Sequence, residues 1–150
     1  MDAPPVSKDA TSRHKNVWAT WYGRTVFVGI VVNMFFVIAC FFLPRQTFVL
    51  LHMKQPDPII WVRTSGMLLF IISVFYIPGA IDPFRYRATA IMHIIPSRAC
   101  GSSFFIYSVA FRGQEPGFLS IALVDLFFGV VSAVFLFLAF RTAQASGPAT

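Results

Sequence analysis

Two charged side chains, Arg98 and Asp125, lie inside long apolar stretches of the sequence and are the first candidates for a functional site. A charge in the hydrocarbon layer costs about 2.5 to 3.5 kcal/mol on insertion scales, so it normally faces a protein interior and finds a partner. Counted from the connection between the third and fourth apolar stretches, the α-helical rise places Arg98 roughly 20 Å and Asp125 roughly 10 Å into the hydrocarbon layer. Straight helices therefore do not predict a direct contact, although the long arginine stem and a bend at Pro96 would change the geometry.

Two interpretations of these charges stay open at this stage. One is a buried polar site for a headgroup, a quinone, an ion or a substrate. The other is a structural ion pair or an intersubunit contact. Asn33, in the first apolar stretch, is a further candidate for the intramembrane polar site or a subunit contact, because its amide can donate and accept either across a helix interface or to a partner subunit.

His93 lies in the same apolar stretch as Arg98, near the end that follows the short basic connection. A bis-histidine haem needs two imidazoles at one depth on facing helices, and neither His14 nor His52 provides the second. One axial ligand suffices for a haem or chlorophyll at a subunit boundary, so a contact through His93 is the cofactor alternative. The other interpretation is a ring that extends to the membrane interface, and no cofactor is then expected.

Basic residues near the ends of the apolar stretches suggest a surface role. Asp82, Arg85 and Arg87 form a short connection, and Arg63 stands at the mouth of the second stretch. Such groups either bind acidic lipid headgroups or set the topology of the chain.

Catalytic patterns are missing from the sequence. It contains no G-x-S-x-G, no H-E-x-x-H, no phosphate-binding glycine loop and no carboxylate pair at a useful spacing. Cys40 and Cys100 do not form a C-x-x-C, so neither a redox pair nor a metal site is predicted. We therefore expect a protein that is not an enzyme.

Composition indicates lipid as the solvent of this chain. The 150 residues are 57% hydrophobic, 17% aromatic and 12% charged, with 18 Phe against 6 acidic residues. Soluble domains average about 25% charge, and disordered chains have low hydrophobicity, so both classes are excluded. The net charge of +6 does not indicate nucleic acid, because the longest basic run is Arg13-His14-Lys15 and membrane-protein loops are rich in basic residues.

Four apolar stretches approach the roughly 20 residues that a membrane-spanning helix needs. They predict an all-α, four-helix transmembrane bundle in a single domain, with spans at 25–43, 64–81, 88–111 and 118–140 and polar tails at 1–16 and 142–150. The first span is interpreted as a retained anchor, since its apolar run begins later and is longer than that of a secretory signal. Small residues at 97–103, together with Gly129, Ser132 and Ala133, predict close packing of the third and fourth spans.

An even number of spans places both termini on one side of the membrane. Basic residues are more frequent on that side: seven (Lys8, Arg13, Lys15, Arg24, Arg85, Arg87, Arg141) against four on the other (Arg45, Lys54, Arg63, Arg112). The positive-inside rule therefore predicts cytoplasmic termini in the cell inner membrane, with an organellar membrane as the alternative.

A resemblance to a known family is carried by a few positions in the middle of the chain, from residue 63 to residue 98. Arg63-x-x-Gly66, Tyr76, Asp82-Pro83-x-Arg85-Tyr86 and Arg98 resemble small four-helix bacterial inner-membrane proteins of the DoxX-like kind. That family includes members associated with oxidoreductase systems. The resemblance implies an accessory role.

Two function hypotheses follow. The first is an accessory or assembly subunit of a larger membrane complex, such as an electron-transfer complex, whose partners are other membrane subunits or a second copy, and lipid. The second is a binding or transport protein for a small molecule, a quinone or a lipid, which uses Arg98, Asp125 and His93.

Overall fold

The computed structural model describes residues 16–145, and all regular secondary structure in that range is helical. Its elements are α1 (Val17–Phe42), α2 (Pro44–Leu50), α3 (Ile60–Ile81), α4 (Arg87–Met92), a π-helical segment (His93–Ala99), α5 (Cys100–Arg112) and α6 (Gly117–Ala145). Most of the predicted leader, and the tail beyond residue 145, lie outside the described residues.

Three of these helices, α1, α3 and α6, are long and apolar enough to cross a membrane. The remaining predicted span, 88–111, is divided among α4, the π-helical segment and α5, which follow one another without a break from Arg87 to Arg112. Large apolar side chains such as Phe35, Phe75 and Phe127 are more than 60% exposed on the outer surface. Exposing this apolar area to water would cost about 25 cal/mol per Å², whereas lipid accepts it without that cost. The chain is therefore a membrane protein.

Helix α1 begins eight residues before the predicted span, at a cap that the sequence analysis assigned to the polar leader. Asn16 accepts hydrogen bonds from the backbone N–H groups of Trp18 and Ala19, as Asn does at many helix starts. Its amide also donates to the Ala139 carbonyl of α6 at 2.9 Å. This single side chain thus joins the start of α1 to the last turns of α6.

The long helices pack as antiparallel neighbours. α1 contacts both α3 and α6, α6 contacts the π-helical segment and α5, and α3 contacts α4. Glycines permit the close approach: a Cβ at Gly23 would collide with the Ala80 carbonyl of α3, and one at Gly79 would lie 3.0 Å from the Ala90 backbone nitrogen. Membrane helices associate through such backbone contacts, because lipid provides no hydrophobic drive between them.

The buried core is small and is mixed with polar groups. Its apolar cluster includes Tyr22, Val26, Tyr76 and Leu136. The Tyr22 hydroxyl donates to the Ala90 carbonyl at 3.2 Å, which ties α1 to α4. The buried polar and charged side chains include Asn33, Ser73, Arg98 and Ser132.

Candidate functional site

The Arg98 side chain is the centre of a polar network inside the helices. It is 3% exposed and forms a salt bridge with Asp125 of α6. Its Nη2 donates to Asn33 Oδ1 of α1 at 3.4 Å. The guanidinium carbon also lies 5.7 Å from the ring centroid of Phe128. Arg98 therefore links the π-helical segment to two other helices.

The direct contact between Arg98 and Asp125 corrects the expectation from straight helices. The structure places a π-helical segment, His93–Ala99, around Pro96. Proline has no N–H, and its ring clashes with the carbonyl four residues earlier, here Met92, so regular α-helical hydrogen bonding cannot continue. The wider π turn redirects the residues that follow it. Together with the long arginine stem, this removes the predicted difference in depth.

Glycines on two helices leave room for the arginine. A Cβ at Gly29 of α1 would lie 3.3 Å from Arg98 Nη2, and a Cβ at Gly129 of α6 would lie 3.0 Å from Arg98 Cβ. The predicted contact of Gly129 with the third span is confirmed, whereas the sequence analysis missed Gly29. A glycine in a helix interior costs about 1 kcal/mol relative to alanine. A glycine in an apolar helix therefore indicates that a side chain or another helix comes close to the backbone at that position.

The network continues from Asn33 into α3. Asn33 Nδ2 donates to Ser73 Oγ at 2.9 Å, and Ser73 Oγ donates in turn to the Leu69 carbonyl at 2.7 Å. Of the two roles open for Asn33, the structure therefore shows the contact across a helix interface. Ser73 was not predicted, because a helical serine often bonds only to its own backbone and then has no role between helices.

His93 lies beside this network and is turned inward, not towards the membrane interface. The side chain is 1% exposed, and its ring packs edge-on against Tyr76 at a centroid distance of 4.4 Å and against Tyr22 at 6.3 Å. The Tyr76 hydroxyl forms a hydrogen bond with Ser97. Neither ring nitrogen of His93 has a hydrogen-bond partner among the described residues. The same holds for Arg98 Nε and Ser132 Oγ.

The polar side chains described above come from α1, α3, α6 and the continuous stretch from Arg87 to Arg112. We call them the intramembrane polar cluster: Asn33, Ser73, Tyr76, His93, Ser97, Arg98 and Asp125. Asp125 is the part of its ion pair that is accessible from outside, with 22% of its side chain exposed against 3% for Arg98. Its Oδ2 lies beside Gly101 of α5, where a Cβ would stand 3.6 Å away. The cluster is therefore open towards the outer surface next to Gly101.

The other predicted site residues do not join the cluster. Asp82 Oδ1 accepts the backbone N–H groups of Phe84 and Arg85, both at 3.0 Å, and so caps the short connection. The Arg85 and Arg87 guanidinium groups lie over the rings of Tyr86 and Phe140. Arg63 is exposed near the start of α3, at the other end of that helix.

Within residues 16–145 no group of three or more His, Cys, Asp or Glu side chains is placed to hold a metal ion. Cys40 and Cys100 are free thiols, and Cys100 is exposed. His52 follows α2 and is exposed, whereas His93 packs on Tyr22 near the opposite end of α1. The two histidines thus do not face each other.

Comparison of the chain with protein-family models, curated proteins and solved structures found no match. The resemblance to DoxX-like proteins therefore stays a prediction.

We predict that Arg98 and Asp125 are energetically coupled. Arg98→Gln or Asp125→Asn leaves the other charge inside the helices without its partner, so each lowers the free energy of unfolding by about 3 kcal/mol. The double variant removes both charges and loses less than the sum of the two single losses. Reversible unfolding in mixed micelles with increasing dodecyl sulfate measures all three.

The control is Arg141→Gln, which removes an exposed arginine near the end of α6. We expect it to change the free energy of unfolding by no more than about 0.5 kcal/mol. Strictly additive losses for Arg98→Gln and Asp125→Asn would contradict the coupling.

Proposed function

We propose that the chain is a four-helix integral protein of the cytoplasmic membrane, with both termini on the cytoplasmic side, and that it binds a small molecule at the intramembrane polar cluster. The fourth crossing is formed by α4, the π-helical segment and α5. From Arg87 to Arg112 this stretch is about 39 Å long at the α-helical rise, enough for a hydrocarbon core of about 30 Å.

The distribution of charge supports this orientation. Arg24, Arg85, Arg87 and Arg141 lie at the end of the molecule where α1 begins and α6 ends. Arg45, Lys54, Arg63 and Arg112 belong to the other end, so the excess at the end where α1 begins comes from Lys8, Arg13 and Lys15, which precede α1 in the sequence. Because lysine and arginine accumulate on the cytoplasmic side, this end is assigned to the cytoplasm.

The single observation that carries the binding function is His93. A buried polar atom without a hydrogen bond costs about 1 to 3 kcal/mol, and few such atoms persist in native proteins. The Arg98–Asp125 and Asn33–Ser73 contacts can be explained by helix packing alone, because each joins two helices. His93 donates to none of the described residues and accepts from none of them. Its imidazole therefore contributes no hydrogen bond to the packing and is suited to an external molecule.

The chemistry of the cluster indicates the class of ligand. An imidazole N–H donates to a carbonyl or hydroxyl oxygen, and the surrounding helices present apolar surfaces to the lipid. An amphipathic molecule with a small polar head and an apolar tail, such as a quinone, combines both properties. Any ligand of His93 must separate the helices around this side chain, which is 1% exposed, and the wide macrocycle of a haem or chlorophyll requires a larger separation than the small head of a quinone.

We predict that His93→Phe weakens quinone binding. Phenylalanine keeps an aromatic ring but has no nitrogen, so the affinity for decylubiquinone falls about tenfold. Saturable binding to the purified protein in nanodiscs, corrected for empty nanodiscs, measures the effect. Because the variant also removes two unpartnered nitrogens, its thermal midpoint does not fall.

The matched control is His52→Asn, which removes an exposed imidazole at the other end of the molecule. His52 has a positive φ of 54°, which asparagine tolerates better than most residues. The control should bind decylubiquinone like the wild type. Equal binding by His93→Phe, or no saturable binding by the wild type, would contradict the proposal.

One observation favours a second function, that of an accessory or assembly subunit of a larger membrane complex, such as an electron-transfer complex. The Asp125 carboxylate is partly exposed beside Gly101. A carboxylate that faces lipid is costly unless a partner covers it. A hydrogen-bond donor on a helix of another subunit, or of a second copy, would do so.

Gly101→Leu tests this second function without removing the ion pair. The new side chain fills the open side of Asp125, so a partner helix can no longer approach. After mild solubilisation from the native host, we expect the wild type in a larger complex and Gly101→Leu at the size of the single chain, as judged by native electrophoresis. His93→Phe serves as the control and should assemble normally. A wild type of single-chain size without co-purifying protein would exclude the subunit role.

A further inference from the structure

An open groove of about 820 Å³ lies between α1 and α3 at the cytoplasmic end of the molecule, away from the intramembrane polar cluster. We call it the α1–α3 groove. Gly23 and Ala80 line it at the point where the two helices touch, and the 82–86 connection forms one side. The groove is open to the surroundings and is not an enclosed cavity.

The lining of the α1–α3 groove changes from polar to apolar with depth. Asn16, Thr20 and Arg24 follow one another along α1, and Phe27 lies one turn deeper. On the antiparallel helix α3, Ile77 lies one turn deeper than Ile81. From Asn16 to Phe27 the helical rise is about 16 Å. This order is that of a lipid, with the headgroup at the interface and the acyl chains below it.

The polar part of the groove carries excess positive charge. Arg24 and Arg85 both line it, are exposed and form no salt bridge with any carboxylate in residues 16–145. The one carboxylate in the lining, Asp82, already accepts two backbone N–H groups of its own connection. The guanidinium of Arg24 lies 5.2 Å from the ring centroid of Trp21, and that of Arg85 lies 5.4 Å from that of Tyr86. Because the aromatic rings carry no net charge, these contacts do not neutralise the two guanidinium groups.

We propose that the α1–α3 groove binds an acidic glycerophospholipid, with its phosphate at Arg24 and Arg85 and an acyl chain along Phe27 and Ile77. Arginine is well suited to phosphate, because its planar fork of donors matches two phosphate oxygens. The cationic lining favours an acidic lipid over a zwitterionic one. A soluble phosphate would use only the polar end and leave the apolar half of the groove uncovered. The site is independent of His93 and of the function proposed for it.

Native mass spectrometry of the full chain in detergent tests the proposal, with dioleoylphosphatidylglycerol and dioleoylphosphatidylcholine as probes. We expect the wild type to retain phosphatidylglycerol preferentially. Arg24→Gln combined with Arg85→Gln should weaken that retention about 25-fold, since each basic residue near an anionic headgroup contributes about a factor of five. Retention of the zwitterionic lipid should not change.

A matched double variant, Arg87→Gln with Arg141→Gln, removes the same charge from the same end of the molecule. Neither residue lines the groove, and their guanidinium groups lie over Phe140 and Phe137. It should weaken phosphatidylglycerol retention by less than about threefold, as expected for a change in net charge alone. An equal loss in both double variants would overturn the proposal, as would equal retention of the two lipids by the wild type.

Crosslinking of the wild type keeps the proposal testable if a variant fails to fold. A phosphatidylglycerol with a diazirine in its acyl chain should label the peptides that contain Phe27 and Ile77. Excess glycerol 3-phosphate should not displace it, because the soluble anion has no acyl chain. Labelling confined to other helices, or full displacement by glycerol 3-phosphate, would overturn the assignment to a lipid.

Discussion

The buried charge of Arg98 is the constraint on which the arrangement of the other helices depends. A guanidinium that is 3% exposed must receive a counter-charge and hydrogen-bond acceptors from the protein, because lipid offers neither. Asp125 of α6 supplies the charge and Asn33 of α1 an acceptor, while Ser73 extends the contact to α3. Gly29 and Gly129 are small because the arginine lies against them. The need to pair Arg98 and to leave room for it thus explains the type of residue found at several positions that are far apart in the sequence.

The polar groups of the molecule divide into those that the fold uses and those that it leaves unpaired. The contacts of Arg98, Asn33 and Ser73 join helices, and Asn16 joins the start of α1 to the last turns of α6. His93, beside the same contacts, is buried without a hydrogen bond to the described residues, in a π-helical segment of a kind that often occurs at functional sites. The arginines of the α1–α3 groove are likewise without carboxylate partners in residues 16–145. The proposed ligands are assigned to these unpaired groups.

Apolar length and composition were enough to predict the end of α1 and both ends of α3 and α6 to within about five residues, because hydropathy decides where a helix can cross lipid. The start of α1 was missed, since the Asn16 cap lies in a polar stretch and its bond to α6 is not a local signal. The Arg98–Asp125 contact was not expected, because a constant rise per residue does not describe the turns around Pro96. The inward position of His93 depends on packing against Tyr76 and Tyr22, which spacing along the chain does not reveal.

Cysteine labelling from the two sides of the membrane tests most directly whether the chain crosses the bilayer four times and so encloses the Arg98 charge. The probes are Arg85→Cys and Arg112→Cys, introduced one at a time after the native Cys40 and Cys100 have been replaced by serine. The account predicts that a membrane-impermeant maleimide reaches position 112 from outside intact cells and reaches position 85 only after the membrane is opened. Labelling of both positions from the same side would contradict it.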